Sequence, residues 1–152
     1  MKRKREITNR AALSFPSLSQ NESLARAFVT AFMVQLNPTV ADIADMKCAV
    51  SEAVTNCIVH GYKDVRGEIR MKCLVDSEMN LTVEISDRGC GIADFEEAKK
   101  PFFTTDTSGD RSGMGFMIME SFTDAMSVKT KPGKGTKVTL KRKLSESDPI
   151  NT

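Results

Sequence analysis

Residues 51–61 set a carboxylate, an amide and an imidazole at intervals of four: Glu52, Asn56 and His60. In a helix, residues four apart lie one above the other on the same face. The apolar residues Ile43, Met46, Val50, Val54, Cys57 and Ile58 recur at i, i+3, i+4 and i+7 and point the other way. This pattern predicts a helix from Thr39 to His60 lying on a core, with Gly61 as the residue just past its C-terminus. An isolated Glu-x-x-x-Asn is common on solvated helix faces. Here Ala49, Ala53 and Val59 flank the stripe, which predicts that it is half buried and a candidate for chemistry.

The elements around this helix follow from period and punctuation. Residues 6–15 read as a first strand ended by Pro16. Ser19-Gln20-Asn21-Glu22 has the form of a capping box and opens a helix over about 20–36. Residues 68–76 and 79–87 alternate as strands and pair as a hairpin across Ser77-Glu78. A short acidic helix is expected over 94–99, a polar segment over 106–112 and a helix over about 113–123. Strands over 125–130 and 136–143 close the order. Strands segregated from helices in this way predict an α+β fold: a two-layer α/β sandwich with a mostly antiparallel mixed sheet and helices on one face.

The length of 152 residues suits one domain, placed at 1–144 with a basic end over 1–5 and a disordered tail over 145–152. Its ordinary hydrophobic and charged fractions, 40% and 28%, suit a soluble globular chain. No apolar run reaches membrane-spanning length, and no apolar stretch follows the basic start, so neither a membrane span nor export is expected. The four cysteines form no C-x-x-C pair, which favours reduced thiols in a cytoplasmic protein. His60 is the only histidine, which excludes a multi-histidine metal site. Lys2–Arg5 form a basic start, read as a solvated end, and Lys137, Lys141, Arg142 and Lys143 a basic finish. With 6% aromatic residues and no Trp, base stacking has little support, and no direct nucleic-acid binding is expected.

Six of the nine glycines fall in three G-x-G pairs: Gly89/Gly91, Gly113/Gly115 and Gly133/Gly135. Each pair stands at an expected element boundary, where glycine lets backbone approach a ligand closely. Gly113-Met114-Gly115-Phe116 opens a helix, whose free N–H groups suit phosphate. Arg111 and Ser112 before it add a cation and a hydroxyl. Asp87 ends a strand just before Gly89, where its carboxylate can accept from an exocyclic amine; Asp before Gly is also a common turn. Neither a Walker A loop nor a Rossmann fingerprint is present.

These boxes, Glu52/Asn56, Asp87-x-Gly89-x-Gly91, Gly113-x-Gly115 and Gly133-x-Gly135-Thr136, resemble the ATPase superfamily of gyrase B, Hsp90, histidine kinases and MutL, whose shared domain is the Bergerat fold. Ser19–Ser23, Ser51–Tyr62, Phe103-Thr104-Thr105 and Arg111–Phe116 narrow the resemblance to the bacterial anti-sigma factor serine kinases, closest to their sporulation members. It covers residues 6–143. The resemblance implies ATP and Mg²⁺, with Asn56 helping to hold the metal and Asp87 reading the adenine amine, assisted by Thr136. It gives Gly89 and Gly91 room for the base, and makes residues 101–112 a lid with Thr104, Thr105 and Arg111 near the phosphates. Ser112, Gly113, Met114, Gly115, Phe116 and Gly135 complete the ATP-binding set. Glu52 is implied as the general base for an attacking serine hydroxyl, and His60 as a neighbour of the phosphates. Glu22 and Arg26 match positions used for partner contact. The implied partners are a sigma factor, an anti-anti-sigma substrate protein and a second copy of the chain.

Three rival readings remain at this stage. The chain is a nucleotide-dependent sigma-sequestering module without phosphate transfer, or a stress-response kinase with a different sigma partner, or a nucleic-acid binder through Lys2–Arg5. A phospho-accepting histidine domain is absent from the sequence, which argues against autophosphorylation.

Overall fold

The computed structural model describes residues 5–63, 65–92 and 114–145. Five strands, β1 (Ile7–Pro16), β2 (Glu68–Asp76), β3 (Asn80–Asp87), β4 (Ala125–Lys131) and β5 (Gly135–Lys143), form one sheet in the order β1-β2-β3-β5-β4. All four pairings are antiparallel. Among the described residues the α-helices are α1 (Asn21–Val34), α2 (Val40–Asn56) and α3 (Gly115–Ser121). The expected two-layer α+β fold is the observed one. The acidic helix expected over 94–99, the segment 106–112, the basic residues 1–4 and the tail beyond 145 lie outside the described residues.

Alternation in the strands decides which face is buried. Ile69, Met71, Cys73 and Val75 of β2, with Leu81, Val83 and Ile85 of β3, all turn to the core, while Arg70 and Lys72 are exposed on the other face. Val29, Phe32 and Met33 of α1, Met46, Val50 and Val54 of α2, and Phe116 and Met119 of α3 cover that apolar face. Helix α2 is the middle of the helix layer, packed against both α1 and α3 and lying over β3. Ala49 and Ala53, the small residues beside the polar stripe, are fully buried. The stripe is thus held down between neighbours, with Glu52 and Asn56 half-buried.

Two local features differ from expectation. Ser19 and Glu22 form no capping box: helix α1 starts at Asn21 without a side-chain cap from its N-cap residue Gln20. Glu22 instead accepts a hydrogen bond from the Ser51 hydroxyl of α2. The capping box is at α2, where Thr39 Oγ1 accepts from the Asp42 N–H at 3.1 Å and the Asp42 carboxylate accepts from the Thr39 N–H at 3.4 Å. The β2–β3 turn has three residues, Ser77, Glu78 and Met79, with Met79 at φ 66°. Asp76 holds it by accepting from the N–H groups of Glu78 and Asn80, both at 2.9 Å.

Arg142 turns inward, its Nε 2.9 Å from Asp42 Oδ1 and its Nη1 2.8 Å from Asp45 Oδ2. It also donates to the Phe122 carbonyl at 2.8 Å, and the Ser145 N–H donates to Asp42 Oδ2 at 2.9 Å. Asp42, only 2% exposed, therefore ties the start of α2 to the end of β5. Burial alone would raise its pKa. The hydrogen bonds from Ser145, Arg142 and Thr39 outweigh that and hold the carboxyl below its ordinary value.

Candidate functional site

The α-helix expected to reach His60 stops at Asn56, and residues Cys57–Gly61 form a π turn. Its closing bond runs from the Tyr62 N–H to the Cys57 carbonyl at 2.9 Å, five residues back. The four-residue stacking that sets Glu52 over Asn56 therefore does not continue regularly to His60. Single π turns in helices are frequent at functional sites. Gly61 does not take the left-handed conformation expected of a residue after a helix; among the described glycines only Gly91, Gly133 and Gly135 have positive φ.

Gly61 is needed for closeness instead. A Cβ there would lie 2.9 Å from Asp87 Oδ2 and 3.0 Å from Oδ1. On the other side of the same contact, a Cβ on Gly89 would lie 2.0 Å from the Gly61 carbonyl oxygen. The turn is stitched to the loop after β3: the Cys90 N–H donates to Gly61 O at 2.8 Å, and the Arg88 N–H to Tyr62 Oη at 2.7 Å. The first G-x-G pair thus builds the seat of Asp87. Gly91, at φ 72°, continues the chain to the end of β4, where Ile92 N–H donates to Thr130 Oγ1 at 2.8 Å.

Asp87, 8% exposed, is one of three buried carboxylates among the described residues. Burial pushes its pKa up. Hydrogen bonds from the Gly89 N–H, the Cys57 thiol and the Thr136 backbone act the other way without cancelling it. The Gly89 N–H lies 2.8 Å from Asp87 Oδ1. Thr136 is the cross-strand partner of Asp87, and its hydroxyl lies 2.9 Å from that of Thr130. Sequence reasoning placed Asp87, Gly89, Gly135 and Thr136 in one site, and the fold brings them together. Cys57, read as core, is buried in it; Gly61, read as the residue past a helix end, instead lies against the Asp87 carboxylate.

The second half of the site is the start of α3. Gly115 is its first residue, and a Cβ there would lie 3.1 Å from Glu52 Oε2 and 3.3 Å from both polar atoms of the Asn56 amide. The half-buried stripe of α2 and the N-terminus of α3 therefore face each other at close range. Met114 and Gly115 are half-buried, and Phe116 is buried in the core. The helix begins at Gly115 rather than about 113. Thr104, Thr105, Arg111, Ser112 and Gly113 lie outside the described residues. No group of three or more His, Cys, Asp or Glu side chains that could hold a metal is found among the described residues.

Glu22 and Arg26 stand apart from this pocket on α1. They form the expected i,i+4 pair at 3.5 Å, and Arg26 Nη2 donates to Ser23 Oγ at 3.2 Å. Arg26 borders a groove of about 650 Å³ between α1 and α2, together with Ser23, Ala27, Thr30, Ala31 and Lys47. None of the four cysteines is paired; Cys57 and Cys73 are buried, Cys48 and Cys90 exposed. No helix among the described residues is long and apolar enough to cross a membrane.

Residues 15–142 match the family model of the histidine kinase-like ATPase domain. The anti-sigma F factor of Thermoanaerobacter sp. (strain X514) is 50% identical over 135 residues, covering 89% of this chain and 94% of that protein. The anti-sigma F factor of Bacillus subtilis (strain 168) is 44% identical over 145 residues, covering 95% and 99%. Among solved structures, the RsbU and RsbW domains of Rv1364c from Mycobacterium tuberculosis share the fold, with a TM-score of 0.69 and 22% identity over 95% of this chain and 35% of that one. With this match across nearly all of its length, the chain belongs to the histidine kinase-like ATPase domain family and, within it, to the anti-sigma F factors.

Proposed function

We propose that this anti-sigma factor sequesters a sporulation sigma factor and, with Mg·ATP, phosphorylates a serine on an anti-anti-sigma protein. The observation that carries the reading is the close packing of Gly115 on Glu52 and Asn56. It sets a carboxylate, an amide and a helix start around one gap. Phosphoryl transfer asks of a protein chiefly positioning and charge neutralisation.

In this reading Asp87 takes the exocyclic amine of adenine, with Thr136 beside it. The backbone of Met114, Gly115 and Phe116, with Ser112 and Gly113, donates to phosphate, and Thr104, Thr105 and Arg111 close over it. Glu52 accepts the proton of the serine hydroxyl as its oxygen bonds to the γ-phosphorus. The bond from that phosphorus to the β,γ-bridging oxygen breaks, and ADP leaves. Asn56 is the residue that would hold Mg²⁺. A lone amide fits a small hard cation bound mostly by phosphate oxygens and water. The metal supplies neutralisation of phosphate charge.

Glu22 and Arg26 on α1 are the partner-binding residues, and the working form is a cytoplasmic homodimer. Glu52 favours a kinase over a nucleotide-dependent module that only sequesters, because binding alone requires no base there. The test is to incubate the purified protein with Mg·ATP and the anti-anti-sigma candidate and to locate phosphate by mass spectrometry. Phosphoserine on the candidate is the expected result. An unmodified candidate, with sigma binding intact, would leave sequestration alone.

A further inference from the structure

We infer that Arg142 is a positioning residue for the gap between Gly115 and the pair Glu52 and Asn56, because it holds α3 in register along α2 from the far end. The inference rests on the reading that this gap receives the phosphates of Mg·ATP. Three observations carry it. The Arg142 guanidinium ties two elements at once: Nε lies 2.9 Å from Asp42 Oδ1 and Nη1 2.8 Å from Asp45 Oδ2, while Nη1 also donates to the Phe122 carbonyl at 2.8 Å. Phe122 is the C-cap residue of α3, and Gly115, at the other end, is the residue whose Cβ would lie 3.1 Å from Glu52 Oε2. Asp45 and Glu52 stand two turns apart on one face of α2, a rise of about 10 Å. The seven residues of α3 span about the same 10 Å.

Helix α3 therefore runs antiparallel along α2, with both ends referred to the same rod. Gly115 meets Glu52 and Asn56, and Phe122 meets Asp42 and Asp45 through Arg142. A helix this short does not hold itself in place. Phe116 and Met119 sink it into the core, but apolar contact is non-directional and leaves sliding along α2 to the polar contacts. Arg142 supplies such a contact. It serves a carbonyl at the helix end that has no partner within the helix, where a positive charge is also favoured. The gap at Gly115 has no slack, so a slide at Phe122 is felt beside Glu52. Asp87, Gly89 and Thr136 belong to β3, β5 and the loop after β3, so the same slide leaves the adenine end in place. An ion-pair network that only holds the fold would lower stability without telling the two ends of the nucleotide apart.

The experiment is a calorimetric titration of wild type, Arg142→Ala, Arg142→Lys and Thr39→Ala with ADP and with adenosine, which lacks the phosphates. Wild type should bind ADP at least about tenfold more tightly than adenosine, the gain of a few charge-assisted hydrogen bonds. Arg142→Ala should lose about five- to tenfold in ADP affinity, as for one disturbed hydrogen bond, with adenosine within about twofold. Arg142→Lys keeps a cation beside Asp42 and Asp45 without the planar fork, and should lose about threefold for ADP alone. Thr39→Ala removes the capping hydroxyl of α2 and leaves the Arg142 contacts in place; it should lower the urea midpoint with both affinities unchanged. Urea curves show which proteins are folded, and Arg142→Lys carries the test should Arg142→Ala unfold. Equal losses for ADP and adenosine in the Arg142 variants, unchanged ADP affinity in both, or an ADP loss as large in Thr39→Ala, would overturn the positioning role. A wild type that binds adenosine as tightly as ADP would overturn the reading of the gap as the phosphate site, and the inference with it.

Discussion

Gly115 and Glu52 share a gap too narrow for a methyl group at ease: a Cβ on Gly115 would sit 3.1 Å from Glu52 Oε2 and 3.3 Å from the Asn56 amide. Helix α3 thus begins against the very face of α2 that carries the polar stripe. Gly115→Ala should push Glu52 and Asn56 aside. Because alanine suits a helix better than glycine, global stability should stay within about 1 kcal/mol of wild type. Nucleotide binding should fall about tenfold, a loss typical of one or two disturbed hydrogen bonds. Calorimetric titration with ADP beside a urea unfolding curve separates the two effects; a variant that binds normally would show that the gap is not part of the site.

Asp87 should trade stability for binding. Its pKa is raised in the folded state, chiefly by burial. Above its ordinary value of 3.8 the folded state therefore holds a proton that the unfolded chain releases. Stability falls as pH rises from there through the folded pKa, and the cost is fully present above it. Asp87→Asn removes this titration. Its stability should vary less between pH 4 and 7 than that of wild type, while ADP affinity drops by about tenfold or more. Urea unfolding across that range checks the first half and nucleotide titration the second.

Asp42 has the opposite sign. Hydrogen bonds from Ser145, Arg142 and Thr39 outweigh burial and lower its pKa. Its contribution is present above 3.8 and is lost as pH falls through the lower, folded value. Asp42→Ala removes the α2 cap and one of the two carboxylates paired with Arg142, and should cost about 3 kcal/mol at neutral pH. The difference from wild type should shrink in acid. Chemical unfolding at pH 7 and pH 3 measures it; an equal difference at both would rule out the ionised network as its source.

The pair Glu22 and Arg26 should matter to partners rather than to the fold. Half-exposed i,i+4 pairs are worth about 0–1 kcal/mol. Arg26→Ala should leave the urea midpoint nearly unchanged, yet weaken sigma-factor binding at least about tenfold, as a guanidinium anchor does when truncated. Surface plasmon resonance with the purified sigma factor reads this directly.

What could be read from the sequence was what depends on period and on residue type at a boundary. Ile69 to Val75 and Leu81 to Ile85 alternate so regularly that the hairpin and its buried face follow from them. The apolar set of α2 did the same for the central helix. Asp87 with Gly89, and Thr136 after Gly135, were tied to one site by the resemblance of their boxes to a known family, and their places at strand ends agree with it. What escaped depended on contacts distant in the chain. Asp42 and Arg142 are joined across the whole fold, and no local pattern marks them. Glu22 was drawn from its own helix end to Ser51 of α2. The π turn at Cys57–Gly61 replaces an α-helical ending because Gly61 must pass close to Asp87 and Gly89, and that demand comes from β3. A glycine after an apolar helix carries the same signal whether it serves a cap or a close approach. The Thr39-x-x-Asp42 box was the one missed feature with a local signature.

The central claim is that Asn56 and Glu52 divide the labour of one site, the amide serving Mg·ATP binding and the carboxylate serving transfer. The most direct test measures ATP affinity and phosphoserine formation together for wild type, Asn56→Ala and Glu52→Ala, with the anti-anti-sigma protein as substrate. The account predicts that Asn56→Ala loses Mg-dependent ATP binding, and with it transfer. Glu52→Ala should bind ATP within about threefold of wild type while transfer falls by about 10²–10⁴. Unimpaired transfer by Glu52→Ala, or equal loss of ATP binding in both variants, would contradict it.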